Sequence, residues 1–260
     1  MMRRCFSIFA GLVALAWSIG PATAERLVTS LSNYRVSIAS NYTGANLVLF
    51  GTVDRDAGTV SRRAGYDIVV TVAGPRQTIV TWRKERVLGI WVNAESRTFV
   101  DVPSYLAVLA NRPFDAIAGP ELRRRLQIGI KNTLLPQDIA GDLGDGGPDD
   151  PYRVAFVRLR NEQDLYLERM NAVTFLTSTL FRTAIPLPAD APIGTYDVDV
   201  KLFGDGALLA RDRSAFELYK AGFEQVVANA ARNHGLLYGL CTSGLALVVG
   251  WLASVVFRRD

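Results

Sequence analysis

The chain has a single histidine, His234, and two cysteines, Cys5 and Cys241, in 260 residues. That one imidazole lies beside the uncharged stretch near the C-terminal end, away from the body of the chain, which argues against Ser-His-Asp catalysis, a histidine-type zinc site and c-type haem attachment. Both cysteines sit in apolar segments near the two ends, so residues 25–235 hold neither a thiol nor a disulfide. An excess of one charge is also missing from the body of the chain. Of the 29 Lys/Arg, Arg3, Arg4, Arg258 and Arg259 lie in the end segments, and of the 25 Asp/Glu only Asp260 does. The basic pI is therefore a property of the ends and makes no case for nucleic acid. Finally, no charged residue occurs between 236 and 257.

That last absence organises the rest. Twenty-two uncharged residues at ~1.5 Å each are long enough to cross a hydrocarbon core as a helix, so a transmembrane helix is expected over 236–257. Arg258 and Arg259 follow, as the positive-inside rule places a short cytoplasmic tail at 258–260. Gly235, Gly239 and Ser243 recur at a four-residue spacing that suits helix packing in lipid, although small residues are common in any such helix. At the other end, Arg3 and Arg4 precede a short apolar run, Gly20-Pro21 breaks it, and Ala22-Thr23-Ala24 has the small-x-small cleavage pattern. Residues 1–24 read as a secretory signal peptide. Together the two segments predict a bacterial inner-membrane protein with one span, a periplasmic domain and the lipid bilayer as an obligate partner.

Between them the pattern is mainly β. In 25–112, Tyr66, Ile68, Val70 and Val72 alternate with wetter residues, and runs at 78–82 and 87–92 flank Arg83-Lys84-Glu85-Arg86, read as a hairpin turn. In 171–220 the clearest strand puts Tyr196, Val198, Val200 and Leu202 on one face and Asp197, Asp199 and Lys201 on an outer, polar one. The intervening 113–170 reads as a helical insertion. Leu122, Leu126 and Ile130 share a helix face within 115–132, and Asp150-Pro151 supplies an N-cap and N1 for a second helix. Residues 221–235 read as a juxtamembrane helix. The expected fold is an immunoglobulin-like β-sandwich with a helical insertion and one C-terminal transmembrane helix.

Candidate sites divide between functional and plain structural readings. Arg123, Arg124, Arg125, Arg158 and Arg160 could converge on an anion, or lie on solvated helix faces. Asp142, Asp145, Asp149 and Asp150 lack the spacing of a calcium loop. Asp197 and Asp199 could form a carboxylate pair, but strand alternation alone puts polar residues there. Trp82 and Trp91 could line a binding surface, but filling the core is the favoured reading. No catalytic residue, metal ligand or cofactor site is expected.

The motifs Glu25-Arg26-Leu27-Val28, Asn46-Leu47-Val48-Leu49-Phe50-Gly51, Phe181-Arg182-Thr183-Ala184 and Pro192-Ile193-Gly194-Thr195-Tyr196, with Tyr238-Gly239-Leu240 and Gly250-Trp251, occur in order along the chain. They resemble the alphaproteobacterial "putative transmembrane protein" family. The resemblance supplies no catalytic residue and implies an accessory role beside a sulfite-exporter-like permease. The leading functional expectation is a non-enzymatic protein whose periplasmic domain binds an inner-membrane partner protein. The alternatives are a tethered solute-binding or carboxylate-dependent enzyme domain, and an envelope protein that self-associates through its membrane helix.

Overall fold

A computed structural model describes residues 25–38, 44–54, 65–139, 141–220, 231–232 and 235–256, without the side chains of Lys220, Leu237, Val255 and Val256. The expected signal sequence, most of the expected juxtamembrane helix and the tail at 258–260 lie outside the described residues.

The mainly β expectation holds. The described strands form three sheets. The first has the order β1-β3-β12-β11 and is built from β1 (Arg26–Leu31), β3 (Ala45–Asp54), β12 (Leu180–Leu187) and β11 (Val173–Phe175), all antiparallel. The second has the order β10-β7-β4-β13-β14-β2. It contains β10 (Tyr166–Arg169), β7 (Leu106–Ala110), β4 (Asp67–Ala73), β13 (Gly194–Gly204), β14 (Ala207–Lys220) and β2 (Arg35–Ile38). Its two outermost pairings, β10 with β7 and β14 with β2, are parallel. The third, β5-β6-β8-β9, comprises β5 (Arg76–Val87), β6 (Ile90–Pro103), β8 (Gln137–Ile139) and β9 (Asp142–Gly144).

One apolar core joins these sheets. Alternation along β3 buries Leu47, Leu49, Gly51 and Val53, and along β13 it buries Tyr196, Val198, Val200 and Leu202, the face expected for it. Tyr196 stacks on Phe216 of β14 with ring centroids 4.9 Å apart. Strand β7 is buried at all five positions and β4 at five of seven, so both faces of the second sheet are covered at its centre. The covering layer comes from the segment 113–170. There Phe156 lies between Phe99, stacked at 4.3 Å, and Tyr166, edge-on at 5.7 Å. The Tyr166 hydroxyl donates to the carbonyl of Pro103 at 2.6 Å, and burial pushes this phenol's pKa up.

Gly51 shows how tightly the first sheet is filled. It sits opposite Phe181 on β12, and a methyl group at Gly51 would come within 2.2 Å of the ring. Phe181 is fully buried and has nowhere to retreat. Gly51→Ala should therefore lower unfolding stability by about 1–3 kcal/mol, as overpacked cores do. A urea midpoint equal to wild type would refute this.

The segment 113–170 corrects two expectations. In place of one helix over 115–132 there are two short helices, α1 (Phe114–Ile117) and α2 (Pro120–Arg125), and a 3-10 turn at Ile130–Asn132. Gly119 is extended before Pro120, and Gln127 and Gly129 have φ of 52° and 90°, which no continuous helix accommodates. Leu122, Leu126 and Ile130 still all pack on the core, reached from separate elements. Nor is the insertion purely helical, since β8, β9 and β10 fall within it. The second helix forms as expected: α3 (Pro151–Glu162) starts at Asp150, whose side chain accepts from the Arg153 N–H at 2.8 Å, with Pro151 in the first turn.

The hairpin turn is displaced too. Arg83-Lys84-Glu85-Arg86 lies within β5, and the chain reverses at Leu88 and Gly89, with φ of 50° and 87°. Two positive φ values match the type I′ turn that the twist of a two-residue hairpin favours. Strand β8 pairs with β6 only at Thr98 and Phe99, so the distal part of β5–β6 projects as a two-stranded ribbon.

At the C-terminus, α4 (Gly235–Val256) is a 22-residue helix without a charged residue. Leu236, Leu240, Leu245, Leu247 and Trp251 are all exposed on it. Among the described residues no helix is long and apolar enough to cross a membrane.

Candidate functional site

The arginines singled out from the sequence do not converge. Arg123 and Arg124 line one cleft of about 520 Å³ with Lys131, Asn132 and Glu168. Arg124 pairs with Glu121 one turn earlier. Arg125 faces a different cleft, Arg158 pairs with Glu162 at 3.7 Å near a third, and Arg160 lies over the Phe156 ring at 5.5 Å. Burial lowers the Arg160 pKa. Two of the acidic-loop residues have structural work: Asp150 caps α3, and Asp145 accepts from Arg153 at 2.8 Å. Among the described residues no group of three or more His, Cys, Asp or Glu could hold a metal ion. Gly235 and Gly239 lie on α4, where an added Cβ would meet no atom within 4 Å, and Ser243 is exposed.

Asp197 and Asp199 occupy the same strand face in different surroundings. Asp197 is exposed, whereas Asp199 is the hub of a cation cluster. Its Oδ2 lies 2.5 Å from Lys201 Nζ, and Arg211 forks onto both its oxygens at 2.6 and 2.7 Å. Arg213 approaches at 3.9 Å. The face expected to be solvated is not: the Lys201 side chain is only 2% exposed. The cause is the third layer. Register places Thr71 beside Asp199 and Leu106 beyond Ala73, and residues 125–136 close over them. Burial holds the Lys201 pKa below the usual lysine value, only partly countered by Asp199. For Asp199, burial alone would raise the pKa, but the hydrogen bonds from Arg211 and Lys201 prevail and lower it.

This cluster forms one wall of a cleft of about 410 Å³, to which Arg76 and Arg125 add two more cations. Arg76 is fixed by Asp101, through its carbonyl at 2.8 Å and its carboxylate at 3.3 Å. Nothing local in the sequence marks Lys201 as buried. A lysine in an alternating strand reads as surface until the covering segment is known.

The second feature is the ribbon. Leu88 is 99% exposed at its tip, with Ile90 at 69% and Trp91 at 66%. Trp82 is also exposed, which corrects the core reading of both tryptophans. They lie beyond the reach of β8, where among the described residues no third strand flanks the ribbon. Trp82, with Arg83, Lys84 and Arg97, borders a groove of about 670 Å³ shared with Tyr152, Arg158 and Leu159 of α3. Tyr152 donates to Glu95 at 2.8 Å while the Arg97 guanidinium sits 4.9 Å from its ring centroid, so the groove is braced across both elements.

A mainly β domain followed by an uncharged helix is thus the class to which this molecule belongs. More narrowly, the chain belongs to the family described as "Putative transmembrane protein", whose family model matches residues 26–259. No curated protein and no solved structure matches it.

Proposed function

We propose that this is a single-pass inner-membrane protein whose periplasmic domain docks a partner protein through the β5–β6 ribbon. The charge-free stretch 236–257 of the sequence and the family description support a membrane span. The first two sheets, sharing one core, are read as the layers of an immunoglobulin-like sandwich. The observation that carries docking is the tip: Leu88, Ile90 and Trp91 are held in water on a type I′ turn where they stabilise nothing in the domain. Along β5 and β6 Arg83, Lys84, Arg86 and Arg97 outnumber Glu85 and Glu95. The complementary surface is an apolar crevice with an acidic rim on another protein, and charge of that sign would steer the encounter. An accessory role beside a sulfite-exporter-like permease is one form this takes.

The test uses a photo-crosslinking amino acid at Leu88 in carbonate-washed membranes from producing cells. The expected result is retention in the membrane pellet and a protein adduct of one defined mass, lost when Arg83 and Lys84 are both changed to Glu. Adducts with lipid alone, or a protein adduct indifferent to charge reversal, would overturn docking. Release into the wash would overturn the membrane span.

A further inference from the structure

We propose that the cleft over Lys201 binds a small organic anion, with its oxyanion head on the cation cluster and an apolar body against the leucine side chains of the lining. This stands apart from the docking role of the ribbon. Four cationic side chains line the cleft, Arg76, Arg125, Lys201 and Arg211, and the one carboxylate among the lining residues is Asp199. Asp199 is already committed to Lys201 and Arg211. Arg76 has Asp101, but Arg125 has no ion pair among the described residues. The cleft over Arg123 and Arg124 is weaker in this respect, because Asp115 and Glu168 also line it.

The ammonium of Lys201 points to a ligand. It carries three N–H donors. Among the described residues its partners are Asp199 at 2.5 Å and Thr71 Oγ1 at 3.5 Å, the second at the limit of a hydrogen bond. A charge buried with donors to spare, at the wall of an open cleft, is matched by an incoming oxyanion. Guanidinium groups at Arg125 and Arg211 can add a forked contact. Leu106 of the sheet and Leu126, Leu134 and Pro136 of the covering segment add apolar side chains to the lining. The volume falls within the roughly 300–1,000 Å³ of small-molecule sites. An inorganic ion alone would leave those side chains uncovered, so the ligand has an organic body.

The experiment is calorimetric titration of the full chain in detergent micelles with benzoate, phenyl phosphate and inorganic phosphate. Benzoate or phenyl phosphate should bind, more tightly than inorganic phosphate by on the order of tenfold. Arg125→Ala changes an exposed side chain, so it should leave the thermal midpoint in place and weaken binding about tenfold. Lys201→Met should abolish binding. In wild-type protein labelled with 13C-lysine, ligand should raise the pH at which the Lys201 Cε signal titrates. If neither organic probe binds, or if Arg125→Ala binds as wild type does, the proposal fails. Inorganic phosphate binding as tightly as phenyl phosphate would remove the organic body from it.

Discussion

Asp199→Asn should destabilise the domain by about 3–5 kcal/mol, the range found when one partner of a buried ion pair is removed. The side chain is 18% exposed and neutralises a lysine at 2%. Asparagine keeps the volume but turns an amide towards Lys201, Arg211 and Arg213 and leaves a buried ammonium uncompensated. Lys201→Met in the same chain should recover much of the loss, because the stranded charge is then gone. Urea unfolding of wild type, the two single variants and the double variant measures this. A single Asp199→Asn variant within 1 kcal/mol of wild type would contradict it.

The same pair sets a pH dependence. The Asp199 pKa is lowered by folding, so its contribution is fully present above the unfolded value near 3.8 and is lost as pH falls through the lower folded value. The Lys201 pKa is also lowered. Between its folded value and 10.5 the unfolded chain holds more protons than the folded one, so stability rises with pH across that window. Lys201→Met should flatten the alkaline rise and leave other carboxylates to govern the acid limb.

Arg153→Met should cost a similar amount, about 3–5 kcal/mol, for a different reason. The Arg153 side chain is 3% exposed and serves two loops at once. Nη1 donates to Asp145 at 2.8 Å. Nη2 donates to the carbonyls of Thr133 at 2.6 Å and of Ile130 and Lys131 at 3.2 Å. Methionine fills the space but supplies no donor, so the carbonyls of Ile130 and Thr133 are left unsatisfied where water has little access, while Asp145, 31% exposed, loses its partner. Lysine should not rescue, because a point ammonium cannot reproduce the fork. Hydrogen exchange should accelerate across residues 128–150. Thr133, Leu134 and Pro136 line the Lys201 cleft, so anion binding should weaken as well. Unchanged exchange there would show that the loops hold without the guanidinium.

Local rules recovered what is local. The alternation in 195–203 became β13, and Asp150-Pro151 became a capped helix start. The errors have specific causes. Leu122, Leu126 and Ile130 mimic one helix because three short elements present apolar side chains to the same core. Arg83-Lys84-Glu85-Arg86 looks like a turn because exposed ribbons and turns are equally polar, whereas Leu88-Gly89 turns on backbone conformation. Trp82 and Trp91 were read as core because large aromatics usually are, and only the length of β8 shows that no third strand reaches them.

By itself the sequence determined a mainly β chain without cysteine between residues 25 and 235, its family, and an uncharged stretch near its end, since each of these depends on residue types and short-range order. Only the tertiary structure decided which strand faces are wet. Lys201 and Asp199 alternate like surface residues, yet residues some seventy positions earlier in the chain fold over them and turn a polar face into a cleft. Burial depends on what packs against a strand, and no periodicity within the strand records that.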